Sequence, residues 1–142
     1  MGSPPHPPPQ RPARPLDVDT GFGLWVAALP LLVLGQAADS VLATNRPHGF
    51  IVYAAIGLFL VLLCAVVVTF LVLMRQGYRW ARTVLTGGGI ATVVYVVTSL
   101  FTVPRSTAAA VVYAITAIVG SVLVAGGVFL LHGKDAHAYF TR

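Results

Sequence analysis

The chain has 142 residues, of which 57% are hydrophobic and only 9% are charged, and its formal net charge is +5. A soluble domain usually carries about 25% charged residues, so this composition excludes an ordinary water-soluble protein and predicts an integral membrane protein. The pI of about 10.0 comes from basic residues scattered between apolar runs, with no zinc-finger or RNA-binding signature. We therefore expect no nucleic-acid partner.

Proline dominates the N-terminal segment, which holds seven prolines between Pro4 and Pro15. Because proline fixes φ and lacks an amide donor, this segment cannot continue a helix or a sheet. We predict a disordered, proline-rich tail over residues 1–19, of extended polyproline type. Its Pro-x-x-Pro spacings leave docking on an aromatic groove of a partner as the alternative.

Four long apolar runs follow, at about 21–43, 50–74, 80–103 and 107–131. Each exceeds the roughly 20 residues that a helix needs to cross about 30 Å of hydrocarbon. Since lipid offers no hydrogen-bond partners, the runs must be helices, and they lack the polar–apolar alternation of barrel strands. We predict an all-α fold, an integral membrane four-helix bundle over residues 20–133 followed by a short C-terminal tail at 134–142.

The joints between the runs contain turn and capping residues. Asn45 to Gly49 is typical of a tight turn, Pro104 should end the third helix, and Ser106 or Thr107 should cap the fourth. The first span has an alternative, because Gly35-Gln36-Ala37 resembles the cleavage site of a signal peptide.

Lysine and arginine are distributed unevenly between the two sides of the predicted bundle. The tails and the second loop hold seven of these residues, namely Arg11, Arg14, Arg75, Arg79, Arg82, Lys134 and Arg142. The other two loops hold only Arg46 and Arg105. By the positive-inside rule, both termini should be cytoplasmic and the protein should be a multi-pass protein of the plasma (inner) membrane.

Small and hydroxyl residues recur at helical spacing and predict the seams of the bundle. On the fourth span they are Ala110, Ala114, Ala117, Ser121 and Ala125; on the third, Gly88, Thr92, Tyr95, Ser99 and Thr102; on the second, Tyr53, Gly57 and Cys64. A substrate path or a contact between copies of the chain is the alternative use of these faces.

Asp39 is the only acidic residue inside a predicted span. Ionisable residues in membranes are expensive to bury and are functional candidates by default. One hypothesis is a proton or cation site formed by Asp39 with Tyr95 and Ser99, with Tyr53 and Tyr113 as further candidates for its lining. The alternative is a structural ion pair with Arg46 or Arg105 on the same side of the membrane.

Three arginines form the densest basic cluster. On one continuous helix Arg75, Arg79 and Arg82 would share a face and contact anionic lipid headgroups, although setting the topology explains them as well. The four histidines, His6, His48, His132 and His137, lack metal-site spacing. Glutamate is absent, and no nucleophile–base set or phosphate loop is present. We expect no metal, no cofactor and no enzymatic activity.

The second loop reads Arg-Gln-Gly-Tyr-Arg-Trp-Ala-Arg over residues 75–82, and the chain ends in Ala-Tyr-Phe-Thr-Arg over residues 138–142. Together with the proline-rich leader and four spans, these segments resemble a group of small, uncharacterised actinobacterial membrane proteins. The resemblance implies a bacterial inner membrane and does not imply an activity.

These observations favour a non-enzymatic accessory or scaffold subunit of a larger inner-membrane complex, in contact with lipid and with a membrane-protein partner or another copy of itself. The alternative is a small oligomeric transporter or channel subunit that uses Asp39. A third hypothesis, lipid handling, depends only on the arginine cluster.

Overall fold

The computed structural model describes residues 2–9, 13–42 and 49–140. Five helices follow one another: α1 (Leu16–Leu42), α2 (Phe50–Arg75), α3 (Arg79–Thr102), α4 (Thr107–Leu131) and the short α5 (Lys134–Tyr139). The described residues contain no strand. Helices α1 to α4 are each long and apolar enough to cross a membrane, which confirms the predicted all-α four-helix bundle.

Helix α1 begins earlier than expected, at Leu16, inside the segment predicted as tail. The Pro15 carbonyl accepts from the amides of Val18 and Asp19, at 3.1 and 3.4 Å. Asp17 and Asp19 lie in the first turn, where a negative charge is favoured by the helix dipole. Residues 2–9 and 13–15 form neither helix nor strand.

The connections set the helix ends. Gly77 adopts a positive φ of 94° and separates α2 from α3. The Ser106 hydroxyl accepts from the amide of Ala109 at 3.4 Å, so the predicted cap of α4 is confirmed. Of the predicted turn from Asn45 to Gly49, only Gly49 belongs to the described residues, and Arg46 lies outside them.

Helices α1 and α4 form the most extensive contact, and α3 packs on α4 beside them. Trp25 of α1 is buried and fills the junction of the three helices. A β-carbon at Gly89 of α3 would lie 2.8 Å from the Trp25 indole, and one at Gly127 of α4 would lie 2.6 Å from it. The Trp25 indole therefore fits between the helices because Gly89 and Gly127 have no side chains.

Helix α2 is peripheral. It contacts α3 and, to a smaller extent, α1, and its only buried residues are Leu71 and Met74 near its C-terminus. The remainder of this very apolar helix is exposed or half-buried, a surface suited to the interior of a membrane. The bundle is thus a core of α1, α3 and α4 with α2 attached at one end.

The predicted seams are largely wrong for α2 and α3 and partly right for α4. On α3 only Ser99 of the predicted face is buried, and the buried residues are Ala81, Arg82, Leu85, Gly89, Val96 and Ser99. The predicted face of α4 is partly right, because Ala117 is buried and Ala110, Ala114 and Ser121 are half-buried, whereas Ala125 is exposed. The buried residues of α4 are Ala109, Tyr113, Ala117, Gly120, Val124, Gly127 and Leu131. On α2, Tyr53 and Gly57 are exposed. Small residues occur on several faces of these helices, so their spacing alone does not identify the inner one.

Replacing Gly127 by alanine should destabilise the fold by about 1–3 kcal/mol, since the added methyl overpacks the buried Trp25. Gly88→Ala is the matched control, because its β-carbon would meet nothing within 4 Å. The free energy of unfolding of both variants is measured in mixed micelles from the loss of helicity. Equal stability of the two variants would contradict the close packing of Trp25 against Gly127.

Candidate functional sites at the two ends of the bundle

Polar side chains collect at opposite ends of the bundle. At the Arg105 end, α1 ends, α2 begins and α3 connects to α4; at the Arg82 end, α1 begins, α2 connects to α3 and α4 ends. Each end has one arginine with a buried or nearly buried side chain, and these arginines define the two candidate sites.

The Arg105 end contains a bidentate ion pair. Arg105 donates through Nε to Asp39 Oδ1 at 2.5 Å and through Nη2 to Asp39 Oδ2 at 3.0 Å. The side chains are only 4% and 19% exposed, respectively. Two parallel charge-assisted hydrogen bonds are the strongest arrangement available to an arginine and a carboxylate. This pairing was one of the two alternatives for Asp39, and it is the one that the structure shows.

The rest of the Arg105 guanidinium is also bound. Nη1 donates to the Ser99 carbonyl at 2.7 Å, and Nη2 donates to the Ser99 hydroxyl at 2.8 Å. The guanidinium lies 3.8 Å from the centre of the buried Tyr113 ring, a close cation–π contact. The cation therefore joins the last turn of α3 to α1 and α4. The dipole of α3 also favours a positive charge at this C-terminal end.

The predicted set of Asp39, Tyr95 and Ser99 is only partly assembled. Arg105 brings Asp39 and Ser99 together, whereas Tyr95 is 59% exposed on the outside of α3. The buried stripe of α3 passes through Val96 and Ser99, so Tyr95 falls on the exposed side of the helix. Tyr113 takes the aromatic place in the cluster instead.

This geometry leaves little room for ion chemistry at Asp39. Both of its carboxylate oxygens already accept from Arg105, so a bound cation would have to displace a guanidinium. In the part of the chain that the structure describes, no three His, Cys, Asp or Glu side chains come together as a metal site.

The Arg82 end is built around a buried arginine without an acidic partner among the described side chains. Arg82 is 8% exposed; its Nη1 donates to the Leu131 carbonyl at 3.3 Å, and its Nη2 lies 3.5 Å from His137 Nδ1. Its guanidinium lies 4.8 Å from the Phe140 ring centre. The Nε atom is buried with no hydrogen-bond partner. A buried cation with unused donor capacity is a candidate anion site.

Helix α5 folds back onto this end. Ala136 and Phe140 are buried there, and the Tyr139 hydroxyl donates to the Arg75 carbonyl at 2.8 Å. The segment that follows α4 thus packs against the α2–α3 connection and caps the bundle.

Arg75, Arg79 and Arg82 were expected to share a face if they lay on one continuous helix. They do not share one. The left-handed Gly77 ends that helix, and each arginine has different surroundings. Arg75 lies 3.5 Å from Asp19, which also pairs with Arg14, and 5.0 Å from the Phe22 ring centre. Arg79 is exposed, and its guanidinium has no partner among the described residues.

The fold and these sites define a multi-pass membrane protein with four apolar helices. Comparison of the chain with protein-family models, with curated proteins and with solved structures gives no match.

Breaking the buried pair should be costly. Asp39→Asn or Arg105→Gln should lower the free energy of unfolding by about 3–5 kcal/mol, because either change leaves its partner buried without compensation. Arg75→Gln is the control, since its contact with Asp19 is exposed and should contribute at most about 1 kcal/mol. Unfolding titrations in micelles compare them, and equal losses would contradict a structural role for Asp39.

Proposed function

We propose that this protein is a non-enzymatic accessory or scaffold subunit of a larger complex in a bacterial inner membrane. The observation that carries the proposal is an outward-facing stripe on α3, the Tyr95 face, formed by Gly88, Thr92 and Tyr95. All three residues are exposed, although their spacing is that of a helix–helix contact.

The Tyr95 face is poorly suited to lipid. Tyr95 is well inside α3 and exposed, and its hydroxyl has no partner among the described residues. A polar group in hydrocarbon without a hydrogen bond costs free energy, and a neighbouring helix can supply the missing acceptor. A β-carbon at Gly88 would meet nothing within 4 Å, so another backbone can approach closely here. These features support a partner helix on this face.

The peripheral position of α2 supports the same proposal. A helix that buries only Leu71 and Met74 within its own chain leaves a long apolar surface for other membrane segments. The interior, by contrast, is occupied by Trp25 and by the Asp39–Arg105 pair, which hold the helices together.

A transporter or channel subunit that uses Asp39 is the second hypothesis. The bidentate contact with Arg105 speaks against it, because a transported cation would compete with an arginine that has low exposure and further bonds to Ser99. Proton- or cation-coupled flux in vesicles that is lost on Asp39→Asn, in a variant that remains folded, would favour this hypothesis over the scaffold.

Purification from native membranes in mild detergent tests the scaffold proposal. We expect a membrane-protein partner or a second copy to be recovered with the chain, and Gly88→Leu to reduce the recovery at least tenfold by blocking close approach. Gly23→Leu on α1 is the matched control, because Gly23 is also exposed and a β-carbon there would meet nothing within 4 Å. Recovery of the monomer alone, or the same loss in both variants, would contradict the proposal.

We further propose that both termini are cytoplasmic, which the seven-to-two distribution of lysine and arginine supports. The chain has a single cysteine, Cys64, so a Cys64→Ser background permits single-cysteine mapping. Lys134→Cys should react with an impermeant maleimide only after the cells are opened, whereas Thr107→Cys should react in intact cells. The reverse pattern would show the opposite orientation.

A further inference from the structure

An apolar groove runs between α3 and α4 on the side of α3 away from the Tyr95 face. It has a volume of about 440 Å³. Its walls are Gly89, Ile90, Val93 and Val94 on α3 and Val124, Ala125, Val128, Phe129 and His132 on α4. His132 is the only polar side chain in this lining, and it lies just past the end of α4 at the Arg82 end. The groove therefore runs along α3 and α4 and ends at the Arg82 end, where the apolar part of α4 stops.

Two arginines continue the α3 wall of this groove toward the Arg82 end. Arg79 precedes Ile90 by eleven residues and Arg82 precedes Gly89 by seven, which is about three and about two helical turns. Each arginine thus lies on the same side of α3 as the groove residue above it. Arg75 does not belong to this set, because it precedes Gly77 and is bound to Asp19 and Phe22.

The described acidic side chains at this end, Asp17 and Asp19, make no ion pair with Arg79 or Arg82. Asp19 pairs with Arg14 and Arg75, and Asp39 pairs with Arg105 at the opposite end. Arg79 is exposed, and its guanidinium has no partner among the described residues. Arg82 is more than nine-tenths buried, and its Nε has no hydrogen-bond partner among them. An apolar groove that ends in two arginines without an acidic partner among the described side chains complements a molecule with a hydrocarbon chain and an anionic head.

We infer that this groove binds an anionic glycerophospholipid. One acyl chain lies between α3 and α4, along about 12 Å of α4 from Val124 to His132, and the phosphate lies at Arg79 and Arg82. The leaflet that faces the Arg82 end supplies the lipid. The two requirements, an open groove and a basic end, are carried by different residues and can be tested separately.

Native mass spectrometry of the full chain in detergent, titrated with phosphatidylglycerol or phosphatidylcholine, measures this binding. We expect phosphatidylglycerol to bind at least tenfold more tightly. Arg79→Gln should weaken phosphatidylglycerol binding by about fivefold, the effect of one arginine near a lipid phosphate, and leave phosphatidylcholine unchanged. Arg79 is the better target than Arg82, because Arg79 is exposed and its replacement leaves the packing intact.

Filling the groove tests the other requirement. Ala125→Phe places a large side chain at an exposed lining position and should weaken the binding of both lipids by tenfold or more. Ala55→Phe, on the exposed side of α2, is the matched control for size, and Lys134→Gln, at the exposed first residue of α5, is the matched control for charge. Both should leave binding unchanged.

Equal affinity for the two lipids would overturn the inference, as would equal losses in the variants and their controls. None of these outcomes bears on the scaffold proposal, which depends on Gly88 and Tyr95 on the other side of α3.

Discussion

The buried ion pair between Asp39 and Arg105 constrains the whole bundle. Withdrawing two charges from water costs several kcal/mol for each ion, and only good geometry with further hydrogen bonds compensates for it. The site has both, because Asp39 receives two hydrogen bonds while Arg105 also binds Ser99 and lies over the Tyr113 ring. Such a contact forms only when α1, the end of α3 and the start of α4 are assembled. It therefore fixes the register of three helices at one end.

Away from that end, the same three helices are held by shape. Apolar side chains gain nothing by leaving lipid for one another, so association in a membrane depends on close packing and hydrogen bonds. Gly89 and Gly127 provide the space into which the Trp25 indole fits. At the opposite end, Arg82 binds the last carbonyl of α4 and contacts α5. The interior side chains therefore hold the helices together. The surfaces that could bind a partner or a lipid lie on the outside of the bundle.

Those surfaces differ in chemistry, and the differences separate the two proposals. The Tyr95 face combines an open glycine with a hydroxyl group that has no acceptor among the described residues, which fits another helix. The groove between α3 and α4 is apolar and ends in arginines, which fits a lipid with a negative head. Helix α2, with almost no buried residues, remains a broad apolar surface at the margin of the bundle.

The sequence predicted the four spans because a run of about 20 apolar residues has few alternatives to a transmembrane helix. It also predicted Arg105 as one of two partners for Asp39, since both would lie on one side of the membrane, and Ser106 as one of two caps for α4. It did not predict which helix faces are buried. In helices that are apolar on all sides, the pattern that marks the inner face of a soluble helix is missing, and the stripe through Tyr95 looked like a seam.

The burial of Arg82 could not be foreseen for a related reason. Arginines near helix ends satisfy the positive-inside rule whether or not they are exposed, so their positions carry no signal of burial. Only the turn at Gly77 and the return of α5 place Arg82 under Phe140. Arg79 likewise has no ion pair with Asp19, because Asp19 lies in three dimensions next to Arg14 and Arg75.

A double-mutant cycle across the ion pair tests most directly whether Asp39 holds the bundle together. The free energy of unfolding in micelles is measured for the original chain, Asp39→Asn, Arg105→Gln and the double variant. A structural pair predicts that the double variant is less destabilised than the sum of the single changes, with a coupling of about 1.5 kcal/mol or more. Additivity within about 0.5 kcal/mol would show that the two side chains act independently, and would contradict this account.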